Sequence, residues 1–149
     1  MTQDQVTVAA DGTTVRAVVR LPGRSAQDAL AAFTDPVLLK SWWGGELTVG
    51  LDPLGRYAVH FPFLEQTMDG RVLDYRPGEL LVFSWDWAHQ PEQVGDWSVT
   101  VRATGTADGA RLDLVHGPRD GARPTAEAES VEGHREGWAY FLPRLAAAV

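Results

Sequence analysis

The strongest constraint on this chain is a change in the period of its apolar residues. Strand side chains alternate between faces, whereas helical side chains repeat every 3.6 residues. From Leu47 to His116 the period is two. The alternating sets are Leu47/Val49/Leu51, Tyr57/Val59/Phe61, a run over Thr67–Tyr75, Leu81/Phe83/Trp85/Trp87, Trp97/Val99/Val101/Ala103 and Leu112/Leu114/His116. Turn sequences separate several of them: Asp52-Pro53-Leu54-Gly55, Arg76-Pro77-Gly78 and Asp108-Gly109. Short alternating runs with turns every ~8–12 residues predict an antiparallel sheet. At the C-terminal end the period switches. Val131, His134, Trp138, Leu142 and Leu145 fall at helical spacing, with Phe141 beside them. This predicts one long amphipathic helix. Pro143 removes a backbone donor and crowds the preceding turn, which predicts a kink or an early end there.

The first part of the chain completes the order. Val6–Ala10 and Thr14–Leu21 read as two strands around Asp11-Gly12, a hairpin signal. Ser25 is a helix cap ahead of Ala26–Phe33. Asp35-Pro36 starts a second short helix that runs to Trp43 and stops at Gly44-Gly45. Gly117–Thr125, with two prolines and two glycines, reads as a loop. The fold class is therefore α+β. A lone helix has one stripe to bury, and the concave face of a curved sheet can bury it, leaving room for a cavity between the two. With 149 residues, the chain is expected to form one domain over 1–149.

Composition narrows the functional classes. The chain has no cysteine, which removes disulfides, thiol nucleophiles and thiolate metal sites. Lys+Arg number 13 against 20 Asp+Glu, giving a net charge of −7. The only lysine is Lys40, and no basic run forms the footprint of a nucleic-acid binder. No apolar run approaches the ~18 residues of a membrane span. The N-terminal stretch lacks a positive segment followed by an apolar one, the pattern of a signal peptide. The expectation is a cytoplasmic protein with no nucleic-acid or membrane partner, as a monomer or weak homodimer.

Three segments together resemble a known family. FTDPVLLKSWWGG (33–45) is similar to the helix-pair signature of the START-like (SRPBCC) superfamily, in the branch named after the activator of the Hsp90 ATPase. RPGELLVFSW (76–85) is similar to that branch's turn-and-strand motif, and GHREGWAYFLPRLAA (133–147) to its closing helix. The resemblance runs from about Thr14 to Ala147. It implies a helix-grip fold, a curved antiparallel sheet around a long C-terminal helix with two short helices, and a cavity beneath that helix. Members include lipid, sterol and polyketide binders, cyclases, and proteins that protect antibiotic producers. The true chaperone activator resembles this chain in only one of its domains, so no co-chaperone role is expected. The leading strand Val6–Ala10 and Pro143 depart from the pattern.

The candidate site follows from the aromatic residues. Six tryptophans are present. Trp85, Trp87 and Trp97 project from strands that read as neighbours, and Trp138 from the helix stripe. Aromatic side chains dominate ordinary cores. They also wall pockets for flat apolar ligands, which carry few polar groups. The candidate ligand-binding residues are Trp42, Phe61, Phe83, Trp85, Trp87, Trp97, His116, His134, Trp138 and Phe141. Of Trp42 and Trp43, one is expected inside and the other at the cavity mouth. His116 and His134 fall on apolar faces, either as core histidines satisfied by backbone or water or as donors to a ligand carbonyl or phenol. No metal site is expected, because the four histidines have no short-spaced pair. Ser84 alternates away from Trp85 and is expected on the outside of the sheet, and no serine lies in a nucleophile motif. The preferred reading is binding of a small hydrophobic, aromatic or polyketide-like molecule without turnover and without a cofactor. The alternatives are a self-resistance protein that sequesters or is sacrificed to a reactive natural product, a cyclase or hydrolase using His116, His134 or Asp86 as acid–base, and a protein-interaction module with no cavity ligand. In the bland reading of Asp86-Trp87-Ala88-His89, these residues are a solvated polar loop.

Overall fold

The computed structural model describes residues 5–43, 46–49, 55–61, 65–90, 97–119 and 128–149, with the backbone alone for 46–49 and 128–130. The chain opens with a hairpin of β1 (Val6–Asp11) and β2 (Thr14–Pro22), paired from Val6↔Val19 to Asp11↔Thr14. Gly12 takes φ +62° in its turn, a conformation that disfavours any residue with a Cβ. Val15, Ala17, Val19 and Leu21 of β2 are buried, while Arg16 and Arg20 are exposed on the other face.

Two short helices follow. α1 (Ala26–Thr34) is capped by Ser25, whose Oγ accepts from the Asp28 N–H at 3.0 Å. α2 (Pro36–Trp43) is started by Asp35, whose carboxylate accepts from the Val37 N–H at 2.9 Å. They stand between β2 and β3 (Glu46–Val49), which lie far apart in the sheet, so the helix pair spans it. Next come β4 (Arg56–Phe61), β5 (Gln66–Arg76), β6 (Leu80–Ser84), β7 (Trp97–Thr106) and β8 (Gly109–Pro118). The described strands form one antiparallel sheet in the order β1-β2-β8-β7-β6-β5-β4-β3. α3 (Ala128–Ala148) packs across β1, β2 and α2. The change of period predicts the antiparallel sheet and the long closing helix, and the family resemblance implies their helix-grip arrangement, which the structure has.

The structure corrects several details. α3 does not end at Pro143. It continues to Ala148, and the Val149 N–H still donates to the Leu145 carbonyl at 3.1 Å. The β7–β8 turn falls on Ala107-Asp108, one residue early, because Gly109 pairs with Thr106. Gly117 and Pro118 belong to β8 rather than to a loop. Ser84 does lie on the outer face, with its partner Ser98, yet it is not exposed there. It is buried, donating to the Asp86 carboxylate at 2.8 Å and accepting from the Arg71 N–H at 2.9 Å. Leu51, the turn residues 52–54 and positions 120–125 of the expected loop lie outside the described residues.

Candidate functional site

α3 presents its apolar stripe to the sheet. Val131, Trp138, Leu142 and Leu145 are buried and His134 is half-buried. Midway along the helix, Gly133, His134, Gly137, Trp138 and Phe141 form one wall of a cavity of about 90 Å³. These positions occupy one helical face. The opposite wall is Trp43, Phe61, Trp85 and Trp87.

Trp43 faces the cavity because Trp42 is held elsewhere. The Trp42 indole N–H donates to the Ala32 carbonyl at 2.8 Å, and the two indoles stack at 4.7 Å with 14° between planes. Arg144 of α3 donates to the Trp42 carbonyl at 3.1 Å, tying the two helices together at this point.

Trp85 and Trp87 lie just past the end of β6, where the chain stays paired with β5. β6 stops at Ser84, and the chain passes very close to β5 at Gly70. A Cβ at Gly70 would lie 1.9 Å from the Ser84 carbonyl oxygen, so only glycine permits this approach. Backbone bonds from Asp69 N–H to the Asp86 carbonyl and from Ala88 N–H to the Thr67 carbonyl continue the antiparallel pairing with β5. Trp85 still donates its backbone N–H to the Trp97 carbonyl at 2.9 Å. The two indoles meet edge to face at 5.5 Å and 84°.

Six of the ten candidate residues line the cavity: Phe61, Trp85, Trp87, His134, Trp138 and Phe141. Trp42, Phe83, Trp97 and His116 are buried but are not lining residues. Phe83 instead stacks on Tyr57 at 4.1 Å, and the Tyr57 hydroxyl donates to the Phe33 carbonyl at 2.6 Å. Trp97 packs edge-on against His116 at 6.3 Å. Of the Trp42/Trp43 pair, both are buried and Trp43 is the one that lines the cavity, while Gly133 and Gly137 line it without having been candidates. The glycines carried a readable signal, since two glycines four residues apart inside a helix lower its stability unless their missing side chains leave needed space.

The histidines adopt an arrangement different from either expectation. Each accepts a hydrogen bond from a tryptophan. Trp87 Nε1–H donates to His134 Nε2 at 3.1 Å, and Trp138 Nε1–H donates to His116 Nδ1 at 3.0 Å. An indole N–H can only donate, which assigns the tautomers. The His134 proton sits on Nδ1 and the His116 proton on Nε2. Burial holds His134 down to about 4. Burial, with His134 nearby, holds His116 well below the usual histidine range. Their rings lie 4.4 Å apart, and both are neutral at pH 7. Among the described residues, two buried donors lack a hydrogen-bond partner: Trp85 Nε1 and His116 Nε2.

The three alternative acid–base candidates sit in different surroundings. Asp86 is not a lining residue and is buried with Ser84 Oγ on its carboxylate, so the solvated-loop reading fails for it as well. His89 is exposed. Among the described residues no cluster of three His, Cys, Asp or Glu is placed to hold a metal, and no helix is long and apolar enough to cross a membrane.

Comparison with known proteins agrees with this architecture. Residues 25–149 match the family described as "Activator of Hsp90 ATPase homolog 1-like protein". The chain belongs to that family. Among solved structures it is similar to protein MLL2253 from Mesorhizobium loti, at 21% identity and a TM-score of 0.77 over 91% of this chain and 95% of that one. Protein CV1439 from Chromobacterium violaceum aligns at 25% identity and a TM-score of 0.74, over 92% and 96%. DynU16, described as a putative protein in the dynemicin biosynthetic locus, aligns at 23% identity and a TM-score of 0.75; the match covers 92% of this chain but 47% of DynU16. No curated protein matches the sequence.

Proposed function

We propose that this chain binds a small, flat, apolar molecule, one or two aromatic rings in size, in the cavity between α3 and the sheet, without converting it. The observation that carries this reading is the composition of the wall. Six aromatic rings and two glycines line the space, and among the described residues His134 is its one titratable side chain. Ligand pockets of this type are apolar with few polar groups. His134 is poorly suited to general base catalysis: its pKa lies far below neutral and its Nε2 is already occupied by Trp87. A volume of about 90 Å³ is small beside the ~300–1,000 Å³ of drug-sized sites. A polycyclic, polyketide-like ligand therefore requires the cavity to widen.

The test is a fluorescence titration with indole, naphthalene and styrene, using the native tryptophans as reporters. Saturable quenching in the wild type is expected, together with its loss in Gly137→Leu, which fills the space from the helix without removing any wall. Absence of saturable quenching, or unchanged binding in the variant, overturns the proposal.

A further inference from the structure

The cavity is walled unevenly. Trp43, Phe61, Trp85, Trp138 and Phe141 are buried. Two of them are also anchored from behind: Trp43 stacks on Trp42, and the Trp138 indole N–H is taken by His116. Of the other lining residues, Trp87, His134 and Gly137 are half-buried and Gly133 is exposed, so this is the side on which the cavity meets solvent. A Cβ at Gly133 or Gly137 would meet nothing within 4 Å, which leaves the helix side of the opening bare. One hydrogen bond joins the two walls there, from Trp87 Nε1–H to His134 Nε2 at 3.1 Å. The backbone of Trp87 is fixed. It bridges to Met68, the Ala88 N–H donates to the Thr67 carbonyl, and the Gln90 N–H donates to the Trp87 carbonyl. Movement at this point is therefore rotation of the indole between staggered positions, with the chain held still.

From this we infer that Trp87 is the size-selecting residue of the site: its indole swings away from His134 to admit a ligand of three fused rings and stays closed over smaller ones. The inference rests on the apolar-ligand reading above and adds which wall gives way. Rotating one of the five buried rings would drive it into close-packed neighbours, which a core does not tolerate. Among the described lining aromatics, Trp87 alone has solvent to move into. Little holds it closed. The bond to His134 joins two half-buried partners and is worth about two- to tenfold in an equilibrium. The ring contacts to Phe61 and Trp85, at 5.9 and 5.5 Å, are ones that an apolar ligand can replace with its own. A three-ring molecule exceeds the space of about 90 Å³ and so selects the open position, whereas a smaller one needs the closed wall for its contacts.

The test compares quinoline, with two fused rings, and acridine, with three, at a mildly alkaline pH where both are neutral. Binding to the intact chain is read from quenching of the tryptophans. Nitrogen–proton NMR follows the exchange of the indole protons with water, with Trp87 assigned from the signal lost in Trp87→Phe. In the wild type, acridine should speed exchange of the Trp87 indole proton and quinoline should not. Trp87→Phe keeps a ring and loses the bond to His134, so it should tighten acridine by about three- to tenfold without tightening quinoline. Trp87→Ala removes the wall, so acridine should gain affinity and quinoline should lose it. Acridine binding that leaves the Trp87 exchange unchanged overturns the inference, as does quinoline binding with no acridine binding in the wild type, or failure of both variants to tighten acridine; in each case the apolar-cavity reading stands. If neither molecule binds up to its solubility, both readings fall.

Discussion

Gly137 offers a perturbation in which stability and binding should move in opposite directions. It sits inside α3, where glycine costs about 0.5–1 kcal/mol relative to alanine through backbone entropy. A Cβ built at Gly137 meets nothing within 4 Å, so alanine introduces no clash. The neighbours of Gly137 on the same helical face, Gly133, His134, Trp138 and Phe141, all line the cavity, so the added methyl enters that space. Gly137→Ala should therefore stabilise the fold by about 0.5–1 kcal/mol, raising Tm by about 1–4 °C in a chain of this size. The added methyl takes up part of a space of only about 90 Å³. Overpacking a fitted site costs ~1–3 kcal/mol, so a ligand that fills the cavity should bind ~5- to 150-fold more weakly. Thermal melts and urea titrations read the first quantity, and ligand titration reads the second. Destabilisation would refute the claim that the space beside Gly137 is empty. Stabilisation with unchanged affinity would show that ligands bind elsewhere.

Two further predictions concern the histidines. His116→Leu strips the acceptor from a buried indole N–H and should cost ~1–3 kcal/mol in urea melts, whereas His134→Leu, whose partner Trp87 is only half-buried, should cost under about 1 kcal/mol. In pH-dependent unfolding, the folded chain holds His134 at about 4 while the unfolded chain titrates near ~6.5. The unfolded state then binds more protons between these values, so stability is complete above pH ~6.5 and falls towards pH ~4 by up to about 3 kcal/mol from this residue. His116 contributes with the same sign. A flat profile across that window, or the same slope in His134→Leu, would contradict the neutral buried pair.

The features legible in the sequence were those set by local geometry. The Asp11-Gly12 hairpin, the Ser25 and Asp35 caps and the alternating strands each depend on residues within a few positions of one another. The inward face of α3 was legible because burial imposes a helical period. The site was only partly legible. The phase of α2 could not be read from PVLLKSWW, in which apolar residues occupy most of the helix surface, so Trp42 and Trp43 were indistinguishable until the Ala32 carbonyl selected one of them. Alternation placed Trp85 and Trp87 on one side correctly but gave no sign of the close approach at Gly70 beside them.

By itself, then, the sequence determined the order of elements, the antiparallel sheet and the helix that closes it, because periodicity and turn chemistry act over short spans. Tertiary structure alone decided what those elements enclose. It set His116 and His134 beside each other across 18 residues of sequence as acceptors for Trp138 and Trp87, kept Trp97 and Phe83 off the cavity wall, and left space where Gly133 and Gly137 meet Trp43. A hydrogen bond between two side chains depends on where their backbones have been carried by packing, and no local pattern encodes that distance.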